Sequence, residues 1–169
     1  PKDSSLFEAE ETWIYGTDAS RIFVPPLAVV RPESVEQVKE LLSWAHREKL
    51  PLIPRARATN VVGACIPGNK GIVVSTLKLN RVLEIDADDF TAVAEPGVVT
   101  ADFQNQVKAQ GLYYPPDPAS VNISTLGGNV STNAGGLRAI KYGVTRDYVL
   151  GMEAVLPGGE IVNTGKKVF

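Results

Sequence analysis

Between Tyr113 and Tyr148 the chain reads YYPPDPASVNISTLGGNVSTNAGGLRAIKYGVTRDY. Four glycines, Gly127, Gly128, Gly135 and Gly136, fall within ten residues of it. Asn129, Ser131, Thr132, Asn133 and Ala134 lie between them, so the segment has almost no apolar volume with which to fill a core. It can instead bring bare backbone against a flat or anionic ligand, because glycine has no Cβ and tolerates positive φ. Pro115, Pro116 and Pro118 stiffen the approach by fixing φ and removing N–H donors. A rigid entry followed by a floor of glycine and asparagine offers the chemistry of a cofactor seat. A plain surface loop is the competing reading. The length of the run, with regular elements on both sides, favours the ligand site.

A second stretch, Arg55-Ala-Arg-Ala-Thr-Asn-Val-Val-Gly-Ala-Cys65, follows directly on the apolar run Leu52-Ile-Pro54. Small residues and a threonine after a strand often form a nest of N–H groups that holds an anion. Gly63 is its only glycine, so by itself the pattern is weak. Cys65, the only cysteine, excludes an internal disulfide and reads as a small buried hydrophobe. His46, the only histidine, falls at the end of a predicted helix and reads as a solvated group rather than a catalyst. No residue is assigned a catalytic or metal-binding role.

The elements that must position these segments follow from periodicity. Leu27–Arg31 reads as a buried strand after Pro25 and Pro26. Ser34 and Gln37 form a capping-box pattern, and Val35, Val38, Leu41, Leu42 and Ala45 follow at helical spacing to about Lys49. Leu52–Pro54 and Gly71–Ser75 are further short strands, so strand, helix, strand implies a right-handed parallel crossover. Arg81–Asp86 and Thr91–Glu95 alternate about an acidic turn and predict an antiparallel hairpin. Thr100 is placed as the cap of a helix over 101–110, with Phe103 and Val107 inward and Gly111 as its stop. Tyr148–Leu156 and Glu160–Thr164 flank Pro157-Gly158-Gly159 and predict a last hairpin. A βαβ unit followed by mainly antiparallel strands is an α+β pattern.

The composition narrows the function. At 169 residues the chain can form one domain or two small lobes sharing a core. With 44% hydrophobic and 21% charged residues it is ordinary for a globular protein. Its net charge is -2 and no basic run occurs, so nucleic-acid binding has no electrostatic support. Its apolar stretches are too short to cross a bilayer, and no signal-peptide pattern is read. A start at Pro1 without methionine, and a stop at Phe169 just after a hairpin pattern, read as a piece cut from a longer protein.

Three motifs then combine: PPDPAS (115–120), STLGGNVSTNAGG (124–136) and KYGVTRDYVLG (141–151). With PLAVVRPESVEQV (26–38) and VLEIDADDFTAVAEPGV (82–98), they resemble the FAD-binding domain of the FAD-linked glycolate oxidase subunit and D-lactate dehydrogenase group. That group lies within the vanillyl-alcohol-oxidase-like, PCMH-type flavoprotein superfamily, and the resemblance runs from about Tyr15 onward. It implies a two-lobed α+β FAD-binding domain. A small parallel βαβ lobe would span about 20–76, and a larger, mainly antiparallel lobe with helices about 77–169. FAD would bind non-covalently between them, since His46 is outside the loop where a covalent link would be expected.

Carried over by motif, the resemblance implies that Arg55, Ala56, Arg57, Ala58, Thr59, Asn60 and Gly63 hold the diphosphate through backbone N–H groups. Pro116, Pro118 and Ser120 would line the diphosphate and ribityl region. Gly127, Gly128, Asn129, Thr132, Asn133 and Gly135 would floor the ribityl chain and ring, with Tyr142, Gly143 and Val144 near the ring. Full-length relatives oxidise a 2-hydroxy acid by hydride transfer to flavin and pass electrons to a quinone, cytochrome or iron–sulfur partner. The substrate domain and its catalytic residues would lie beyond Phe169, leaving this piece inactive alone, with a cytoplasmic location, free or membrane-associated through a partner. One departure stands out. The family loop reads P-R-G-x-G-T-G, and here Ala56, Ala58 and Asn60 replace its glycines. Asn60 is the replacement best suited to positive φ, and Arg57 could add a charge at the diphosphate. The alternative reading is a flavin-free scaffold or interaction subunit that kept the fold.

Overall fold

A computed structural model describes residues 5–6, 9–68 and 71–166. The first sheet is built from β1 (Ser5–Leu6), β2 (Ala28–Val30), β3 (Leu52–Arg55) and β4 (Ile72–Ser75), in the order β1-β2-β4-β3. β2 and β3 both run parallel to β4, while β1 pairs antiparallel with β2. After a short α1 (Ala9–Thr12), the crossover through α2 (Val35–Glu48) is parallel as expected, but β4 lies between the two strands it joins. Pro54 gives the reason. A proline cannot donate to a ladder on both sides, which confines β3 to an edge, whereas β4, buried at all four residues, takes the centre.

Ser34 caps α2 by accepting the Gln37 N–H at 3.3 Å, and Gln37 Oε1 accepts the N–H of Glu33 at 2.8 Å. The box is thus closed one residue earlier than the usual pattern. Lys49 ends the helix in a left-handed conformation, and His46 is exposed.

Beyond residue 76 the chain forms two hairpins and three helices. β5 (Val82–Asp86) pairs with β6 (Thr91–Ala94), with a bulge between Val82 and Glu84. α3 (Thr100–Ala109) packs Phe103 and Val107 with Val98 into a core closed by Val82, Ile85, Ala92, Leu112, Tyr114 and Leu126. Thr100 is not the cap. Val99 holds that position, and Thr100 is fully buried inside the helix with its hydroxyl engaged elsewhere. Gly111, at φ 79°, follows the last turn. α4 (Leu126–Thr132) and α5 (Ala139–Tyr142) lie in the glycine-rich stretch. A 3-10 turn at Thr145–Tyr148 precedes β7 (Gly151–Val155), so the last hairpin, closed by β8 (Ile161–Gly165), begins later than its hydrophobic pattern. Residues 167–169 lie outside the described residues. No helix among those described is long and apolar enough to cross a membrane.

Candidate functional site

The loop after β3 reverses at Ala58, which stands at φ 55°. The left-handed residue is therefore Ala58 rather than Asn60, and an alanine there costs about 1 kcal/mol or more. Asn60 shapes the loop through its side chain. Its Oδ1 accepts the N–H groups of Val62 (3.1 Å) and Ala64 (3.2 Å), and its carbonyl accepts the N–H of Ala19 at 3.1 Å. Among the described residues, the backbone N–H groups of Arg57, Ala58 and Thr59 meet no acceptor. Successive free N–H groups about a left-handed residue form an anion-binding concavity. The turn forms although Ala56, Ala58 and Asn60 are not glycines. Arg57 is exposed in this loop and forms no ion pair among the described residues, so its charge is available to an anion.

The proline segment meets this loop. Ser120 Oγ donates to Thr59 Oγ1 at 3.4 Å. Gln104 Nε2, on α3, donates to the carbonyls of Pro116 (2.8 Å) and Tyr114 (3.2 Å), anchoring a stretch whose prolines cannot donate. Gly136, at φ 141°, lies so close to the Asp117 carbonyl that any Cβ would collide with it. Arg138 clasps the same place, with Nε 3.3 Å from Asp117 Oδ2 and Nη1 donating to the Tyr113 hydroxyl at 2.6 Å. That hydrogen bond holds the Arg138 guanidinium above its ordinary range.

α4 is set in place by hydrogen bonds, because its sequence supplies little apolar volume. Thr125 caps it by accepting the Gly128 N–H at 3.4 Å. Asn129, 2% exposed, donates Nδ2 to Thr100 Oγ1 at 2.7 Å, and Thr100 Oγ1 lies 3.1 Å from Ser124 Oγ. The remaining first-turn donors are also used: Leu126 to the Val98 carbonyl, Gly127 to Pro96 and Asn129 to Thr125. The N-terminal turn of α4 therefore has no spare donor, in contrast to the 57–59 loop. A Cβ on Gly127 would meet Pro96 Cβ at 2.5 Å, and one on Gly128 would meet Ala56 Cβ at 3.1 Å. Bare backbone is what lets α4 approach the first loop.

Past α4, Thr145 is buried and donates its hydroxyl to the Ala134 carbonyl at 2.7 Å, while Asn133 Oδ1 accepts the Arg146 N–H at 3.0 Å. These bonds fold residues 133–146 back on themselves and leave the N–H groups of Gly135 and Gly136 without an acceptor among the described residues. Tyr142 stacks edge-on to Tyr113 at 5.9 Å, and its carbonyl accepts the Tyr148 hydroxyl. Burial pushes the Tyr114 phenol up to about 12, so it stays protonated at neutral pH.

The residues singled out by sequence thus divide. The first loop meets the proline segment through Thr59 and Ser120 and meets α4 through Ala56 and Gly128, with Arg57 and Ala58 in that same loop, while a Cβ built on Gly135 would lie 3.5 Å from Ala139 Cβ and from Val144 Cγ1. Pro116 and Pro118 are buried beside them, Gly63 ends the loop at φ 72°, and Gly143 packs against Asp147. The side chains of Arg55 and Asn129 are buried on protein partners, and Thr132 Oγ1 donates to the Gly128 carbonyl. Sequence reading gave Thr100 another role, as a helix cap, and assigned none to Ser124 and Thr125, though both fall in the 124–136 motif. A threonine directly before Leu-Gly-Gly could have been read as an N-cap. No local signal points to Arg138 or Asp117, which meet only in three dimensions.

Such a site can hold an anion at 57–59 and offer donors to a flat heteroaromatic ring at 135–136. Comparison with known proteins identifies the family. Residues 26–165 match the FAD binding domain family. Over 156 residues the chain is 43% identical to the glycolate oxidase subunit GlcD of Bacillus subtilis (strain 168), covering 92% of this chain and 33% of that protein. It is 42% identical over 165 residues to D-2-hydroxyglutarate dehydrogenase of Stutzerimonas stutzeri (strain A1501), covering 97% of this chain and 36% of that protein. It spans about a third of the length of these relatives. Among solved structures, an alkyldihydroxyacetonephosphate synthase superposes with a TM-score of 0.85 at 26% identity, over 97% of this chain and 35% of the other.

Proposed function

The chain belongs to the FAD binding domain family, and on that premise we propose that it is the flavin-holding part of an oxidoreductase acting on a small 2-hydroxy acid of the glycolate or D-lactate type. When bound, the flavin supplies the hydride acceptor. The residues present fit it: the N–H groups of 57–59 suit a diphosphate, and those of Gly135 and Gly136 suit ring nitrogens and oxygens. In this reading Arg57 adds charge to the diphosphate, and Pro116, Pro118, Ser120 and Thr59 line the ribityl region. Gly128 and Gly135 bring backbone to the ring, and Tyr142, Gly143 and Val144 cover its edge. The cofactor would sit between lobes bounded at about residue 76.

The substrate domain, a base to take the substrate's hydroxyl proton and the contact to an iron–sulfur or quinone-linked partner belong to the longer protein, whose expected location is cytoplasmic or at a membrane through that partner. The observation that carries the cofactor assignment is the run of free N–H groups about the left-handed Ala58.

Gly128→Val in the full-length protein tests it. A valine there meets Ala56, so we expect flavin absorption to be lost on purification while far-ultraviolet circular dichroism is unchanged. Normal flavin content in that variant would sink the assignment.

A further inference from the structure

Backbone strain like that of Ala58 persists only where the surroundings over-determine it. Here the surroundings are a buried cluster on the far side of the loop's two ends. Arg55, 9% exposed, precedes the loop, and its guanidinium donates to the carbonyls of Thr17 (2.6 Å), Ile14 (3.0 Å) and Tyr15 (3.3 Å). It also lies 5.6 Å from the centre of the Tyr15 ring. Carbonyl dipoles and a ring face thus compensate a buried cation that would otherwise be costly.

Cys65, 6% exposed, follows the loop. Its sulfur is 3.6 Å from Arg55 Nη1, 3.5 Å from Asn60 Nδ2 and 4.0 Å from Asp18 Oδ2. Asp18, itself 9% exposed, accepts the Ser20 N–H through Oδ1 at 2.9 Å, and the neighbouring Ala19 N–H donates to the Asn60 carbonyl. Both ends of the 56–63 loop, and its one shape-giving side chain, are therefore tied to residues 14–19.

We propose that Arg55 is a positioning residue: through residues 14–19 and Cys65 it holds the 56–63 loop in its anion-binding shape, so that flavin occupancy and the reactivity of the Cys65 thiol are coupled. This rests on the assignment of that loop to the FAD diphosphate. When the loop opens, the strain at Ala58 is released, the N–H groups of 57–59 scatter and the sulfur becomes accessible. A ligand that binds only the closed loop lowers the open population, and whatever raises that population weakens the ligand by the same factor. Arg55 then contributes to cofactor affinity without touching the cofactor.

The test uses the full-length protein and N-ethylmaleimide, whose double bond takes up the Cys65 thiol with no other product. Labelling of the Cys65 peptide is followed by mass spectrometry, with flavin removed and with FAD restored. Without flavin, Arg55→Gln is expected to label about tenfold faster than wild type, the factor matching the loss of one or two buried hydrogen bonds. FAD is expected to slow labelling of wild type and to pull the Arg55→Gln rate back towards it, a rescue that a merely structural arginine would not allow. Should Arg55→Gln fail to fold, Asp18→Asn loosens the other end and is read in the same way. Labelling indifferent to both substitutions would overturn the brace and leave the cofactor assignment standing. Labelling that responds to them but not to FAD would overturn the coupling and remove this loop from the cofactor site.

Discussion

Ala58 occupies a position where related loops use glycine, and it adopts the left-handed backbone that glycine would take without strain. Its methyl group contributes nothing visible to the core, since the residue is only half buried. Ala58→Gly should therefore stabilise the protein by about 1 kcal/mol, the difference between alanine and glycine at positive φ. The readout is the denaturation midpoint, which should rise at unchanged slope. A lower midpoint would mean that alanine is unstrained there and that glycine's extra freedom in the unfolded chain dominates. Asn60 could carry the left-handed conformation more cheaply in isolation. It is excluded because its amide is committed to Val62, Ala64 and Cys65, which fixes its backbone in another region.

An ion pair closes the open end of the β5–β6 hairpin. Arg81 Nη2 lies 2.8 Å from Glu95 Oε1, and the Arg81 backbone N–H donates to Oε2 at 2.7 Å. The Glu95 side chain is 10% exposed, whereas that of Arg81 is 71% exposed. The Arg81 side-chain hydrogen bonds hold the Glu95 carboxyl below its usual range, against the opposing effect of burial. A depressed folded-state pKa gives stability that is complete above the unfolded value of about 4.3 and is lost as pH falls through the folded one. Glu95→Gln should thus destabilise the protein at neutral pH, and its deficit relative to wild type should shrink on acidification below about pH 4. Urea unfolding of both proteins at neutral and acid pH measures this. A deficit of equal size at both would show that the charge on Glu95 is not what closes the hairpin.

Across the whole molecule, exposed apolar side chains occur in several places, from Trp13, Ile14 and Leu27 to Phe90, and they include the surroundings of the candidate site and the last hairpin. Leu137, just before α5, and Ile140 on it are almost fully exposed, Val61 and Val62 are exposed on the first loop, and every residue of β8 is exposed. Gly159 at the tip of that hairpin rests on α2, where a Cβ would stand 3.1 Å from the Lys39 carbonyl oxygen, so the second part of the chain leans on the first. High-affinity sites bury most of the ligand surface, and in the function proposed above the rest of a longer protein would add a further wall beyond the two lobes of this chain. Residues 1–169 expressed alone should be colourless or bind FAD weakly. Stoichiometric yellow flavin surviving gel filtration would show that the remaining wall is not needed.

What the sequence by itself determined was most of the strands, the helices α2 and α3, and the family. Ser34 with its apolar spacing specified α2, the alternation about Asp86–Asp89 specified the β5–β6 hairpin, and the glycine, asparagine and proline motifs pointed to a flavin domain. These are short-range signals, set by backbone sterics and by which face of an element is apolar. Tertiary structure alone decided which backbone donors remain free. The central place of β4, the burial of Thr100, Ser124 and Asn129 as a polar clamp on α4, and the choice of Ala58 for the left-handed turn each depend on partners distant in the chain. α4 shows the physical reason most plainly. Two glycines and a β-branched valine and threonine give it poor intrinsic helix propensity. It forms because hydrogen bonds from the β6–α3 turn hold its first turn in place, and no window along the sequence contains both halves of those bonds.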